Sequence, residues 1–224
     1  MPEARVGLLG GTFDPVHLAH VALAQAALQA LQLDQVRWIP AGQPWQKARE
    51  VTAAHHRVAM VRLAIAGEPR FVLDRIELER GGPSYTLDTI KALAAARPHT
   101  EWVLIIGADQ YASLHTWVDW RDLLGRVVLA VANRPGPLPP VHPEVLAFPH
   151  RAVPLPMLDI SSTDVRQRVQ RGSGFSNIGD IGNIGNSGDS GDISALVPPE
   201  VARYIETHRL YRGPAAEKST SIRS

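Results

Sequence analysis

The segment GGTFDPVHLAH at residues 10–20 brings together residue types that suit the binding of an anion. Gly10, Gly11 and Thr12 follow a short apolar run and precede a stretch rich in alanine and leucine, which predicts a turn between a strand and a helix. Glycine lets the main chain approach a ligand closely, and the first turn of a helix offers N–H groups and the positive end of its dipole. Glycines also occur at such turns where a strand and a helix only pack tightly.

Two histidines strengthen the interpretation as an anion site. His17 and His20 are three residues apart, on one face of the predicted first helical turn. Two imidazole rings at this place would donate hydrogen bonds to phosphate oxygens while carrying little fixed charge. The alternatives are surface or capping histidines, or a zinc pair, for which the sequence offers no third ligand nearby. Combined with the glycine turn, the pair favours a phosphate site.

A second candidate anion site lies in the segment DISSTDVRQRVQR at residues 159–171. Ser161, Ser162 and Thr163 are predicted to open a helix, and Arg166 lies one turn further on. Hydroxyls, first-turn N–H groups and a guanidinium together suit phosphate oxygens. The alternative is an ordinary capping box of Ser161 with Asp164, although three consecutive hydroxyls exceed what one cap requires.

Two anion sites at the ends of two predicted strands suggest a triphosphate that is held from both sides. The sequence shows no evident nucleophile with its base: it has no cysteine, no G-x-S-x-G motif and no lysine in plainly apolar surroundings. A reaction that needs no protein nucleophile therefore fits best. If the acceptor is itself a phosphate, it is already an anion, and catalysis consists of positioning and charge stabilisation.

The elements that must position these segments follow from the hydrophobic pattern. Apolar runs predict strands at residues 6–9, 36–40, 70–80, 102–107, 127–133 and 153–158, the last of them a proline-bearing edge strand. Helical patterns alternate with them at residues 17–33 and 53–66, and a further helix, capped by Ser84 or Thr86, ends before Pro98. The alternation predicts an α/β fold: a doubly wound parallel sheet with helices on both faces and a small C-terminal helical part. Ligands of such sheets bind beyond the carboxyl ends of the strands.

Composition sets limits on the class of protein. The 224 residues, 45% of them hydrophobic, suit one sizeable domain. Lys and Arg number 23 against 22 Asp and Glu, so the net charge of +1 disfavours a nucleic-acid partner. The absence of cysteine excludes disulfides, thiolate metal sites and a thiol nucleophile. No signal peptide or membrane-spanning stretch is evident, and we expect a soluble cytoplasmic protein with no membrane partner.

One segment departs from the globular pattern. Residues 172–192 hold seven of the eighteen glycines, with Ser, Asn and Asp filling most of the other positions. Such a chain buries too little apolar surface to offset the entropy of ordering it, so we predict a flexible surface insertion. A short repeat solenoid is the alternative. We therefore expect a single domain at residues 1–212, interrupted by this insertion, and a disordered tail at residues 213–224.

The motifs resemble those of a known superfamily. GGTFDPVHLAH resembles the G-x-F-[DN]-P-x-H-x-G-H motif of the nucleotidyltransferases, and ISSTDVRQR resembles their I-S-S-T-x-[IV]-R motif. GGPSYTLDTI, IIGADQYASLHTWVDWRDLL, NRPG and LVPPEVARYIETHRLY are similar to segments of one branch, the bacterial nicotinate-nucleotide adenylyltransferases. The resemblance runs in order from residue 6 to residue 212. It implies a Rossmann-like fold and the transfer of AMP from Mg-ATP to nicotinate mononucleotide, which yields deamido-NAD and pyrophosphate.

The resemblance also implies a role for each matching residue. The candidate catalytic residues are His17 and His20, at the transferred α-phosphate, together with Lys47 and Arg166. The candidate ATP-binding residues are Gly10, Gly11, Thr12, His20, Gly107, Asp109, Ser161, Ser162, Thr163 and Arg166. Of these, the last four would hold the β- and γ-phosphates, and Gly107 and Asp109 the adenosine. The candidate nicotinate mononucleotide-binding residues are Thr12, Phe13, Lys47, Thr86, Trp117 and Arg134. Thr86 and Trp117 would hold the pyridine ring; Mg²⁺ would arrive with ATP, and no protein-held metal is expected.

Other interpretations of these residues and of the chain stay open. Ala19 replaces a glycine that is usual in the motif, and Trp45 and Gln46 replace a proline and a histidine before Lys47. Trp117 could be a core aromatic like Trp120, Asp109 a helix cap, and Lys47 and Arg134 surface charges. The acceptor could instead be nicotinamide mononucleotide or phosphopantetheine. The chain could also be a nucleotide-sensing module without catalysis or a phosphate-binding structural protein, and its oligomeric state is not indicated.

Overall fold

A parallel β-sheet forms the centre of the fold. The computed structural model describes residues 3–43, 51–133, 140–155, 158–173 and 192–212. Within these residues the strands are β1 (Ala4–Gly11), β2 (Gln35–Pro40), β3 (Phe71–Leu73), β4 (Thr100–Gly107), β5 (Val128–Asn133) and β6 (His150–Pro154). All neighbouring strands are parallel, in the order β3-β2-β1-β4-β5-β6. The order reverses direction between β1 and β4, which is the position where doubly wound sheets bind ligands.

Helices cover both faces of the sheet. In the described residues they are α1 (Leu18–Ala30), α2 (Ala54–Ile65), α3 (Ile76–Arg80), α4 (Thr86–Ala96), α5 (Ala108–Ser113), α6 (Trp120–Leu124), α7 (Pro143–Leu146), α8 (Ser162–Ser173) and α9 (Pro199–Thr207). A single 3₁₀ turn, Leu114–Thr116, lies between α5 and α6. The predicted fold class, a doubly wound parallel sheet with a small C-terminal helical part, is confirmed.

The two faces have separate cores, which explains the continuous apolar runs. Along β1, Leu9 belongs to a core with residues of α1, α2, α8 and α9, whereas Leu8 belongs to a core with residues of α4, α5, α6 and α7. Along β4, Ile105 and Leu104 divide in the same way. Successive side chains of a strand point to opposite faces, so a strand covered on both faces needs apolar residues at every position.

Two predicted strands differ from the structure. Residues 70–80 do not form one strand, because β3 ends at Leu73 and α3 begins at Ile76. Asp74 makes this turn: its carboxylate accepts the N–H of Ile76 at 3.0 Å and pairs with Arg37 at 2.6 Å. The edge strand predicted at residues 153–158 is instead β6, His150–Pro154. It begins earlier and ends at a proline, which has no N–H to donate to a sheet.

The predicted cap of α4 is also wrong. The N-cap residue is Tyr85, not Ser84 or Thr86. The Ser84 hydroxyl instead accepts the main-chain N–H groups of Gly42 at 2.8 Å and Gln43 at 3.3 Å. Ser84 thus ties the turn before α4 to the loop that follows β2.

Several predictions concern residues outside the described part of the chain. Residues 172 and 173 belong to the end of α8, whereas residues 174–191 of the predicted insertion lie outside. The predicted tail, residues 213–224, also lies outside, as do Lys47 and Arg134. In the described residues, no helix combines the length and the apolar character needed to cross a membrane.

Candidate active site

A cavity of about 440 Å³ opens at the carboxyl edge of the sheet, where β1 and β4 end side by side. This volume is within the usual range for small-molecule sites, roughly 300–1,000 Å³. Twelve predicted site residues line it: Gly10, Gly11, Thr12, Phe13, His17, His20, Thr86, Gly107, Asp109, Trp117, Ser161 and Ser162. The structure therefore brings together residues that are up to 152 positions apart in the chain. Thr163 and Arg166 also belong to α8, but they are not among the residues that line the cavity.

The glycine turn belongs to the last residues of β1. Gly10 and Gly11 pair with Ile39 and Pro40 of β2, so they are part of the sheet and lie at its edge. A Cβ atom built on Gly10 would meet no atom within 4 Å, because the position faces the open cavity. A side chain at this position would therefore fill ligand space rather than clash with the protein.

Phe13 lines the cavity, and its ring packs in the core. The ring is 2% exposed and contacts Trp38 at 5.5 Å and His20 at 5.1 Å between ring centroids. The φ angle of Phe13 is 51°, in the left-handed region that non-glycine residues rarely adopt. An unusual backbone conformation in a cavity wall often marks a functional loop. Phe13 therefore gives the cavity wall a residue of unusual backbone conformation.

The two histidines lie together at the start of α1, as predicted. His17 is the N-cap residue and is 7% exposed, and His20 is half-buried one turn later. Their ring centroids are 3.7 Å apart, and the main-chain N–H of His17 donates to Nδ1 of His20 at 3.2 Å. A neutral imidazole whose Nδ1 accepts a hydrogen bond carries its hydrogen on Nε2.

The electrostatic environment keeps the His20 ring neutral. Burial, and then the neighbouring His17, lower the pKa of His20 well below its ordinary value of 6.5. At neutral pH the ring is therefore an uncharged donor through Nε2. In the described residues, no group of three His, Cys, Asp or Glu side chains is placed to hold a metal ion.

The start of α8 has the capping box that was the alternative to an anion site, and the hydroxyls of Ser161 and Ser162 are engaged within the protein. The Ser161 hydroxyl donates to Asp164 at 2.5 Å and accepts the N–H of Asp164 at 3.2 Å. The Ser162 hydroxyl donates to the carbonyl of Pro15 at 2.9 Å. The capping alternative for Ser161 is therefore realised, and the N–H groups of the first helical turn become the more suitable donors for an anion at this place.

Arg166 connects α8 to the segment that follows the glycine turn. Its guanidinium donates to the carbonyl of Asp14 at 2.7 Å and to the hydroxyl of Thr163 at 3.0 Å. Arg166, a residue of the second motif, thus binds the main chain of the first motif.

The opposite wall of the cavity is formed by the start of α4 and by Trp117. Thr86 is the first residue of α4, and the neighbouring Asp88 is exposed and so does not turn its charge into the cavity. Trp117 is half-buried in the wall, whereas Trp120 is 6% exposed and belongs to the core. Trp117 also packs against this core from its partly buried position, so it combines a core contact with a place in the cavity wall.

The cavity wall also contains a buried acidic residue that the sequence analysis did not single out. Glu77 is 7% exposed and accepts the hydroxyl hydrogen of Thr89 at 2.8 Å. Arg80 donates to the same hydroxyl oxygen at 3.1 Å. Glu77 lies in the segment that was predicted as a strand, whereas in the structure it belongs to α3, one turn before Arg80. The strand prediction therefore gave no reason to expect Glu77 and Arg80 to share a partner.

Comparison with known proteins gives concordant matches. The family described as cytidylyltransferase-like matches residues 8–168. A protein of Methylibium petroleiphilum named probable nicotinate-nucleotide adenylyltransferase is 45% identical over 95% of this chain and 95% of its own length. A protein of the same name from Bordetella petrii is 45% identical over 93% of this chain and 99% of its own.

Solved structures resemble the fold. The nicotinic acid mononucleotide adenylyltransferase of Plasmodium falciparum, in structures complexed with APC and with NaAD, superposes with a TM-score of 0.72. The match covers 93% of this chain and 98% of the other, at 20% and 21% sequence identity. At this identity the likeness concerns the arrangement of strands and helices.

Proposed function

The chain belongs to the cytidylyltransferase-like family and, within it, to the nicotinate-nucleotide adenylyltransferases, and on that premise we propose that it transfers AMP from ATP to nicotinate mononucleotide. The products are deamido-NAD and pyrophosphate, which makes the reaction a step of NAD biosynthesis. The observation that carries the proposal is the cavity itself, because it gathers the glycine turn, both histidines and the start of α8 around one space.

The reaction is an in-line displacement at phosphorus. A phosphate oxygen of nicotinate mononucleotide forms a bond to the α-phosphorus of ATP, and the bond from that phosphorus to the bridging oxygen breaks. The bonding electrons leave with pyrophosphate. The attacking oxygen is already anionic, so the step needs no general base, and catalysis rests on positioning and on stabilising charge.

His17 and His20 serve the transferred phosphate. Nε2 of the neutral His20 ring is a hydrogen-bond donor, and the ring faces the same cavity as Gly10 and Gly11. A donor placed where negative charge develops in the transition state lowers the barrier. The low pKa of His20 also means that the ring carries no net charge before the nucleotide arrives.

The β- and γ-phosphates are held at the start of α8. The main-chain N–H groups of Ser162 and Thr163 and the guanidinium of Arg166 supply the donors, supported by the positive end of the helix dipole. Ser161 contributes by forming the capping box that sets the first turn of α8. Gly107 and Asp109, which line the cavity at the junction of β4 and α5, bind the adenosine in this proposal.

The pyridine ring is held between α4 and Trp117. The hydroxyl of Thr86 and the first-turn N–H groups of α4 suit the nicotinate carboxylate, and the indole of Trp117 stacks on the ring. Thr12 and the main chain of Phe13 form the wall between the two substrates. Lys47 and Arg134, which lie outside the described residues, are assigned to phosphates through the family resemblance.

The proposal also includes the metal ion that accompanies ATP and the cellular compartment of the reaction. Mg²⁺ enters as part of the Mg-ATP substrate, since this ion prefers phosphate oxygens and water as ligands. The reaction takes place in the cytoplasm, in keeping with the cysteine-free sequence and with bacterial relatives that carry a metabolic enzyme's name.

The proposal is tested by incubating the purified protein with Mg-ATP and, separately, nicotinate mononucleotide, nicotinamide mononucleotide and phosphopantetheine. Pyrophosphate release and the dinucleotide product are followed together. We expect one pyrophosphate per deamido-NAD with nicotinate mononucleotide. Release with phosphopantetheine alone would assign another acceptor, and no release with any acceptor would indicate a nucleotide-sensing module.

A further inference from the structure

The segment that follows the glycine turn, residues 12–15, is held through its main-chain carbonyls; we call it the motif loop. Arg57 donates to the carbonyl of Thr12 at 2.8 Å. Arg166 and Ser162 donate to the carbonyls of Asp14 and Pro15 at 2.7 Å and 2.9 Å. The bonds from α8 come from residues already assigned to the active site, whereas Arg57 belongs to α2.

The Asp14 side chain gives the motif loop another anchor. It is 1% exposed, and its Oδ1 accepts the hydroxyl hydrogen of Tyr211 at 2.7 Å. Its Oδ2 faces the main-chain N–H of Thr52 at 3.4 Å. Burial, and then the negative charge of Asp14, raise the pKa of the Tyr211 hydroxyl, so it stays protonated and donates. Tyr211 follows α9, so the C-terminal part of the fold contacts the first sequence motif.

Arg57 is a buried cation that binds the main chain of the motif loop. It is 2% exposed, and it donates through Nη1 to Thr12 and through Nε to the carbonyl of Thr52 at 2.9 Å. Burial lowers its pKa, while Asp14 and Tyr211 raise it. A buried arginine is retained only where its charge and donors are matched, and here the partners are the carbonyl of Thr12 and the Asp14 charge.

These contacts determine which main-chain groups face the substrates. The bond between Thr12 and Phe13 is trans, so the N–H of Phe13 points opposite to the carbonyl of Thr12. Thr12 and Phe13 line the cavity, whereas Arg57 and Tyr211 are not among the described residues that line it. Arg57 therefore binds the motif loop without lining the cavity, and the N–H of Phe13 points away from the Thr12 carbonyl that Arg57 holds. The left-handed φ of Phe13 requires support of this kind.

We propose that Arg57 and Tyr211 are positioning residues for adenylyl transfer, which hold the motif loop so that Thr12 and the N–H of Phe13 meet the reacting phosphates. The inference rests on the proposed function. Neither residue contacts the cavity, so both act through the loop. An error of about 1 Å in such a loop lowers the rate roughly a hundredfold while ground-state binding changes less.

The test compares Tyr211→Phe and Arg57→Lys with matched controls on α9 and α2. Tyr211→Phe removes the hydroxyl that bonds to Asp14, and Tyr204→Phe, on the helix before Tyr211, removes a hydroxyl that bonds to Nδ1 of His56 at 2.9 Å. Arg57→Lys keeps the charge but cannot reach both carbonyls, and Arg62→Lys makes the same change at an exposed position of α2. The values of kcat and of KM for each substrate are measured at 25 °C, with the fold checked by circular dichroism.

We expect kcat to fall at least about tenfold in Tyr211→Phe and in Arg57→Lys, with both KM values within roughly twofold of the original protein. Both controls should keep the original kcat. A kcat within about twofold in folded Tyr211→Phe, an equal loss in Tyr204→Phe, or a raised KM at unchanged kcat would overturn the inference. If Arg57→Lys does not fold, Tyr211→Phe alone is decisive. Absence of turnover in the original protein would refute the proposed function instead.

Discussion

At the scale of single residues, the bond from the His17 N–H to Nδ1 of His20 assigns a separate task to each nitrogen of the His20 ring. Nδ1 accepts a hydrogen bond at the start of α1, and in the proposed reaction Nε2 is the donor for the phosphate. Asparagine places its oxygen near the position of Nδ1, and glutamine places its amide nitrogen near that of Nε2. We therefore expect His20→Asn to keep the fold but to lower kcat by about a hundredfold or more.

His20→Gln should keep more activity than His20→Asn, because it retains a donor near the reacting phosphate. Steady-state kinetics with pyrophosphate detection measure the difference, and His99→Ala, at an exposed position, serves as the control. Equal activity of the Asn and Gln variants would show that Nε2 has no separate role.

The lowered pKa of His20 leads to a prediction on pH. In the free protein the ring favours its neutral form, so it takes up a proton only at a pH well below 6.5. Bound triphosphate favours the charged form, so by linkage it raises the pKa. NMR titration of the histidine rings, with and without a non-hydrolysable ATP analogue, measures both values. A midpoint at or above 6.5 without the analogue would contradict the burial argument.

Two glycines have different surroundings: Gly10 borders the open cavity, whereas Gly42 is packed against the main chain of Glu77. Gly10→Ala adds a methyl group to the open cavity, so we expect an unchanged Tm and a fall in kcat/KM for ATP of roughly tenfold or more. Gly42→Ala would place its Cβ 2.5 Å from the carbonyl oxygen of Glu77, so the main chain must move at a cost of about 1–3 kcal/mol. Thermal unfolding and kinetics on both variants test the contrast, and a large loss of Tm in Gly10→Ala would contradict it.

At the scale of elements, we propose that α4 sets the choice between the two pyridine mononucleotides. A carboxylate only accepts hydrogen bonds, which suits the Thr86 hydroxyl and the first-turn N–H groups, whereas a carboxamide also needs an acceptor for its NH₂. The exposed Asp88 does not supply that acceptor. We expect kcat/KM to favour the acid by at least about a hundredfold.

The comparison of both mononucleotides under the same Mg-ATP concentration measures this preference. Thr86→Val, which keeps the shape but loses the hydroxyl, should reduce it. The buried carboxylate of Glu77 in the same wall would favour the amide if it reached the ring, so equal use of both substrates would point to Glu77 rather than Thr86 as the contact.

The sequence predicted elements well where periodicity is local. The strands that became β1, β2, β4 and β5 were expected within a few residues, because runs such as WVLIIG must be covered on both faces. The short strand β3 was overestimated, since one carboxylate, Asp74, turns the chain at a place where the pattern still alternates. A single side chain can override a weak periodic signal.

At the scale of the whole molecule, one cavity gathers twelve of the residues predicted for the site, whereas the residues that support them were not foreseen. Arg57 and Tyr211 join the motif loop across 45 and 197 positions of sequence, and hydrophobic periodicity carries no information on such contacts. One signal was present: Arg57 lies three and four positions before Met60 and Val61, on a helix face that is buried. An arginine on an apolar face predicts a buried partner.

The cavity is built from segments of the whole chain, so its ligand should stabilise the whole fold. We expect a non-hydrolysable ATP analogue at about a hundred times its Kd to stabilise the protein by about 2.7 kcal/mol, and so to raise Tm by roughly 5–11 °C. Differential scanning fluorimetry measures the shift. Gly10→Ala should reduce it at the same concentration, and no shift in the original protein would argue against a nucleotide site.

The motif loop is held by residues that are far away in sequence, which determines when its contacts can form during synthesis on the ribosome. Residues 12–15 are synthesised well before Ser162, Arg166 and Tyr211, which hold them. A nascent chain therefore carries its first motif without these three contacts until α8 and Tyr211 have been made. Catalytic competence arises only after Tyr211 has been added, so a premature stop between α8 and Tyr211 would release a chain with the nucleotide motif present and its support incomplete.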